Sequence, residues 1–229
     1  MRRLTVRALN AQSLSDLEPV AEAIAREVWR ENSARPDFDL QRDFTDLFPS
    51  KVMAHVFGLT ETERAMLSPV AFGGMEVYNR GCSLRLQEIA EVRITAAFSI
   101  LRDVLAKRRG AGSASGALAR MAELAVEMGV DEDRMLAAAL FLWGTGVETA
   151  AATLPTALAS LVGHPEQLRL LETGAASWQS AAEELLRHES TVFGVLRIAT
   201  QDERVGSAEI RAGQGVMVLI GRANRDPDD

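Results

Sequence analysis

The sequence predicts a mainly α protein with a small β region at its C-terminal end, and three observations carry that expectation. Apolar residues recur at helical spacing from the start to about residue 190. Met135 to Gly163 is a run of 29 residues with a single charge, Glu148, which predicts a helix buried on all sides. After Ser190 the pattern changes: VFGVLRIAT and GVMVLIG read as strands, joined by a polar stretch that holds Gly206 and Gly213. With 229 residues, 47% of them hydrophobic and 25% charged, the chain can bury a core and falls among globular proteins.

Each element has its own local reason. In Leu17 to Glu31, Leu17, Val20, Ile24 and Val28 recur at three and four, the stripe of an amphipathic helix. A second helix is expected from about Asp43 to Phe57, stopped by Gly58. Asn79-Arg80-Gly81 reads as a turn, and Ser83 to Arg109 as one long helix of mixed charge. Gly110 to Gly116, GAGSASG, reads as a flexible loop, with a helix from Ala117 to Met128 after it. Asp131 can cap the apolar helix, which is expected to run to about Val162 and to bend at Pro155, where one helical N–H is missing. His164-Pro165-Glu166 opens the next helix, with proline where its missing N–H costs nothing.

Composition removes several classes of function. The net charge of -7 argues against a phosphate-backbone binder and against a polybasic membrane patch. Cys82 is the only cysteine, so no intrachain disulfide forms, and MRRLTVRALNAQS lacks the apolar core of a signal peptide. A cytoplasmic location fits these features. Met135 to Gly163 is long enough to span a bilayer, but Glu148 at its middle, two glycines, Pro155 and non-basic flanks favour a buried helix with no membrane.

The residues with chemical potential are few. Gly144-Thr145-Gly146-Val147-Glu148-Thr149 lacks the strand and Lys-Ser/Thr of a phosphate loop. It does place a carboxylate and a hydroxyl, Glu148 and Thr149, inside an apolar helix, where they either relay protons to a buried centre or merely accompany packing around small residues. Glu184 and Arg187 stand three apart and share a helix face; as an ion pair they are either a solvated surface feature or a buried anchor. Arg197 lies in an apolar β-run and needs an anionic partner or a route to water. His55, His164 and His188 have no metal-ligand spacing, and Cys82 has no base or cationic cluster beside it in sequence.

In order and spacing, these signals resemble the cytochrome P-450 family over essentially the whole chain. LFLWGTGVETAAATLPTALASLVGHPEQLRLL resembles that family's long central helix, with the small-Gly-x-acid-Thr motif on Thr145, Gly146, Val147, Glu148 and Thr149. AAEELLRHES resembles the helix of the Glu-x-x-Arg motif, on Glu184 and Arg187. LRIATQDERVGSAEIRAGQGVMVLIGRANRDP resembles the strands and Ala-x-Arg-Asp-Pro signature that follow. Upstream, MRRLTVRALNAQSLSDLEPVAEAI and FDLQRDFTDLFPSKVMAHVFGL resemble the family's helix C and the helices after it.

The resemblance implies a single, incomplete domain over residues 1–229, truncated at both ends: the N-terminal sheet and the Phe-x-x-Gly-x-x-x-Cys-x-Gly loop are not in this sequence. It implies heme b as the cofactor of the complete family member, with Arg197 and Arg2 on its propionates, Gly146 against it, Glu148 and Thr149 catalytic, and Glu184 with Arg187 turned inward as an anchor. Thiolate ligation is not expected of this chain, since Cys82 lies in the wrong place. The implied reaction is O2-dependent oxidation of a small hydrophobic substrate with an electron-transfer partner, inactive in this piece alone. Thr145 replaces the family's usual alanine, and Pro155 departs from its pattern. A second implication comes from CSLRLQEIAEVR, which is similar to the heme-less homologues that activate deoxysugar glycosyltransferases in antibiotic pathways. An unfunctional gene fragment is the third reading.

Overall fold

The computed structural model describes residues 2–9, 14–71, 83–111 and 116–227, which fall into two compact units, Met1–Ala151 and Ala152–Asp229. The expected turn at Asn79-Arg80-Gly81, Cys82 and most of the GAGSASG segment lie outside the described residues.

The first unit is helical throughout: α1 (Arg2–Leu9), α2 (Leu14–Asn32), a π-helical turn (Gln41–Thr45), α3 (Leu47–Phe57), α4 (Glu61–Ala71), α5 (Leu84–Ala111), α6 (Gly116–Glu127) and the first part of α7 (Glu132–Gly163). Its core gathers Leu4, Phe57, Leu67, Leu101, Leu118, Met121 and Leu124 around Met135, Leu136 and Trp143 of α7, all essentially inaccessible. The Trp143 ring meets Phe57 edge-on, centroids 5.5 Å apart, the arrangement the ring quadrupoles favour.

Three junctions show why these sequences start and stop where they do. Gly58 ends α3 at φ 69°, and Leu59 N–H returns to Ala54 O at 2.7 Å, closing a left-handed cap. Thr60 and Glu63 then start α4 by a reciprocal exchange: Thr60 N–H donates to Glu63 Oε2 at 2.8 Å, and Glu63 N–H to Thr60 Oγ1 at 3.3 Å. Arg108 of α5 clamps this corner, donating to Glu63 Oε2 at 2.9 Å and to Gly58 O. The expected helix from Asp43 is corrected: the chain makes a π turn first, with Asp46 N–H bonded to Gln41 O, and α3 begins at Leu47. The buried Asp43 carboxylate explains the change, since it takes Asp39 N–H at 2.9 Å and Arg42 Nε at 2.7 Å and so organises the backbone around itself.

The second unit holds the rest of α7, α8 (Pro165–Glu172), α9 (Trp178–His188), four short strands and α10 (Ile220–Ala223). β1 (Val195–Ile198) pairs antiparallel with β4 (Gly215–Val218), Leu196 opposite Met217, while β2 (Glu203–Val205) and β3 (Ala208–Ile210) form a hairpin turned at Gly206. The polar connection between the two expected strands therefore carries a hairpin of its own. Mainly α with a small C-terminal β region is the architecture observed. Asp131 caps α7 as expected, its Oδ1 taking Arg134 N–H at 2.9 Å, and Pro165 is the first residue of α8. By length and composition α7 passes for a membrane-crossing helix, but one face of it, from Met135 to Ala151, is buried among the other helices of the first unit.

Candidate functional site

In the first unit the candidate chemistry sits on α7. Gly144 and Val147 are buried, Glu148 is half-buried, and Thr149 is exposed. A Cβ on Gly146 would lie 2.8 Å from Met53 Sδ, the flexible end of an α3 side chain, which would have to move to admit it. The threonine hydroxyls bond back along the helix: Thr145 Oγ1 donates to Phe141 O at 2.8 Å and Thr149 Oγ1 to Thr145 O at 2.6 Å. Such bonds weaken the regular ladder and bend helices. Pro155 adds a missing N–H in the next turn, and the helix still runs on to Gly163. Beyond the first turn of α7, with its Glu132 and Asp133, Glu148 is the one carboxylate of the helix, between threonines whose hydroxyls bond back to carbonyls of the helix.

Arg2 is exposed on α1 and lines a cleft of about 720 Å³ with Thr5, Arg134 and Phe141. No carboxylate among the described residues pairs with it. That is notable in a chain with seven more acidic than basic groups.

In the second unit, Glu184 and Arg187 form a bidentate pair, Nε to Oε2 at 2.7 Å and Nη2 to Oε1 at 2.6 Å. The bonds hold the Glu184 carboxyl below the usual carboxylate range and the Arg187 guanidinium above its own. The expectation that both point inward is corrected: their side chains are 59% and 48% exposed. The reason is local, because α9 has no buried residue and even its Trp178 and Leu186 are open to solvent. The pair nonetheless reaches across the unit, since Arg187 Nη1 donates to Asn224 O.

Arg225 answers from the other side, with Nη2 donating to His188 O at 2.6 Å and Nε at 3.1 Å. Gly221 completes the junction: its N–H donates to Phe193 O at 2.9 Å, and a Cβ there would meet the Phe193 ring at 2.6 Å. Arg225, Asn224 and Gly221 were not singled out from the sequence as site residues. The signal for Asn224 and Arg225 was the Ala-x-Arg-Asp-Pro signature itself, in which Arg225 is the one long cation; Gly221 lies just before it.

Arg197 is exposed on β1, bonded through Nη1 to Leu196 O at 3.0 Å, with no ion pair to it among the described residues. A route to water satisfies it. Among the described residues no cluster of His, Cys, Asp and Glu could hold a metal ion, and Cys82 lies outside them. Arg2 in the first unit and Arg197 in the second lack an ion pair, as do other cations among the described residues, Arg85 and Arg204 among them.

No family model matches the sequence. Curated relatives include several cytochromes P450. Cytochrome P450 105C1 of Streptomyces sp is 30% identical over 99% of this chain and 58% of its own length. Cytochrome P450 107B1 of Saccharopolyspora erythraea is 29% identical over 99% and 54%. The chain spans just over half the length of these relatives. Among solved structures, CalO2 is 25% identical, matches 99% of this chain and 57% of its own, and superposes with a TM-score of 0.87. P450BioI in complex with a fatty-acyl-loaded acyl carrier protein superposes at 0.85 over 99% and 60%; at 24% identity that likeness speaks for the fold.

A helical first unit, a long helix with Gly-Val-Glu-Thr at its middle and a short C-terminal β region agree with these likenesses to the cytochromes P450. The chain belongs to that superfamily.

Proposed function

We propose that residues 1–229 are the oxygen-handling part of a cytochrome P450 monooxygenase that oxidises a small hydrophobic substrate with electrons from a separate redox partner, and that these residues alone are catalytically inactive. Glu148 and Thr149, adjacent at the middle of the apolar α7, carry the reading: a carboxyl and a hydroxyl placed there can pass a proton between solvent and a dry centre. Heme b, when bound, supplies the oxygen activation. The chain's own part is to seat it, with Arg2 and Arg197 as propionate donors and Gly146 against it, and to move the proton through Glu148 and Thr149. Glu184 and Arg187 tie α9 to the end of α10 through Asn224 O. The residues are read as one incomplete P450 domain in the cytoplasm.

Hemin titration of the purified 229-residue chain tests this. The expected result is weak binding with an ordinary spectrum, further weakened in Arg197→Ala, and no carbon-monoxide shift of a thiolate complex. A stoichiometric thiolate spectrum lost in Cys82→Ser overturns the inactive reading. In a form extended to include a cysteine loop, Glu148→Gln should lower turnover by about 100-fold; unchanged turnover removes the proton relay.

A second reading is a glycosyltransferase-activating helper. One observation favours it: the start of α5, in the segment that resembles those helpers, leaves Leu84 and Val92 77% and 71% exposed. Retention of a deoxysugar glycosyltransferase on the immobilised chain, lost in Val92→Glu, would support it.

A further inference from the structure

Between the π turn, the start of α3 and α4, all within the first unit, lies a cleft of about 260 Å³ lined by Arg42, Asp46, Ser50, Arg64 and Ser68, with Leu47 and Pro69 as its apolar wall. Two of its polar side chains are built into the body of the unit: Ser50 is 3% and Arg64 9% exposed. Arg64 uses Nε and Nη2 on Glu61 and Nη1 on Ser50 Oγ at 3.1 Å, and Ser50 donates in turn to Leu47 O at 2.9 Å. A guanidinium carries more N–H groups than these bonds occupy, so Arg64 has donors left over. Arg42 does too, since it meets Asp43 and Asp37 O through Nε and Nη2 and leaves Nη1. The Ser68 hydroxyl is buried with no hydrogen-bond partner. Facing these donors is the half-buried Asp46 carboxyl, which caps no helix N–H and has no ion pair among the described residues.

Buried groups left without bonds cost free energy, so donors and an acceptor gathered in this way need a partner in the cleft. Charge restricts what that partner is. Arg42 is matched by Asp43 and Arg64 by Glu61, so an ionised Asp46 leaves the cleft net negative. A bare anion is repelled there, whereas an anion that arrives with a proton is not. Burial, and after it the neighbouring Asp39, already pushes the Asp46 pKa up, the direction that holds a proton at this place. The cleft is smaller than the roughly 300–1,000 Å³ of sites for drug-sized ligands, so its ligand has few heavy atoms.

We propose that this cleft binds a short-chain monocarboxylic acid, whose carboxylate accepts from Arg42, Arg64 and Ser68 and shares one proton with Asp46, and whose alkyl end rests on Leu47 and Pro69. Two carboxyl groups in contact do not both ionise, so the pair keeps a single proton between them. The charged groups around the cleft are Asp39 ahead of the π turn, Arg42 and Asp43 on it, Lys51 on α3, and Glu61 and Arg64 on α4; no histidine lines it. Carboxyl and guanidinium groups ordinarily titrate well away from neutrality, so a pH dependence of binding near pH 7 reports the shared proton.

Calorimetric titration of the 229-residue chain with butyrate tests this at several values between pH 5 and pH 7.5, with butanol and inorganic phosphate as controls. Saturable binding is expected, weakening by about 10-fold per pH unit at the alkaline end, because a proton is taken up with the ligand and becomes scarcer as pH rises. Asp46→Asn supplies a fixed N–H in place of the proton and should bind butyrate equally at every pH. Ser68→Ala should bind about 10-fold more weakly than the parent. Arg64→Lys should bind no butyrate; if that buried change prevents folding, the two milder variants decide the matter. A parent that takes up no butyrate at tens of millimolar, affinity that ignores pH, or parental affinity in Ser68→Ala overturns the proposal. So does butanol binding as tightly as butyrate, which would leave only an apolar crevice, and phosphate binding as tightly, which would leave a cleft for anions of any kind.

Discussion

At the scale of single residues, Asp43 is where burial and charge meet. Its carboxylate is 7% exposed and bonded by Arg42 and by the Asp39 N–H, which hold its pKa well below the usual range. A depressed folded pKa means that the contribution to stability is complete above the unfolded value of about 3.9 and is lost as pH falls through and below it. Urea midpoints at pH 7 and pH 3 should therefore converge more in Asp43→Asn than in the parent; equal pH dependence in the two would remove Asp43 from acid lability. Gly116 is the other telling residue, at φ 85° with a Cβ position 2.5 Å from the Gly58 nitrogen and the Phe57 carbonyl. Gly116→Ala should cost about 2–4 kcal/mol in urea unfolding. Gly129→Ala, at φ 64° with open space around it, should cost only about 1 kcal/mol. Equal costs at the two sites would show that the close approach to α3 is not what demands glycine.

At the scale of elements, periodicity and caps made most helices legible. Asp131, Gly58 and His164-Pro165 each mark a boundary through a bond or a dihedral that the residue type dictates. The start of α3 was not legible, because the π turn depends on Asp43 being buried, a tertiary fact. The hairpin of β2 and β3 was hidden for a similar reason: ERV and AEI are too short and too polar to signal strands, and only their pairing defines them. The Glu184–Arg187 pair was legible as a pair and misjudged as buried, since spacing three apart fixes mutual reach and says nothing of what lies over the face. Its structural use is the tie to Asn224. Arg187→Ala should accelerate amide exchange over residues 220–226 and leave peptides of α6 unchanged; a global change in exchange would mean that the tie supports far more than α10.

At the scale of the whole molecule, the sequence order of motifs identified the fold, and the candidate site remained partial for a physical reason. Glu148 and Thr149 belong to a unit with a continuous core, while Arg197, Glu184 and Arg187 belong to one with almost none. Patterns report which face of an element is apolar, not whether anything covers it. The same contrast predicts how the chain responds to protease. Along α7, Met135, Leu136, Ala139, Trp143, Val147 and Ala151 are fixed in the core of the first unit, and beyond them only Ala157 and Leu161 are buried on this helix. Local opening is governed by buried apolar contact, so peptide bonds after Ala151 reach the extended form a protease needs far more often than those before it. Brief digestion of the 229-residue chain with a broad-specificity protease should therefore remove the segment after residue 151 in steps and leave a resistant fragment containing α6 and the first half of α7. First cuts within 117–147, with residues 195–218 intact, would show that the β region has a stabilising cover among these residues, and the account of the second unit as short of a core would fall with it.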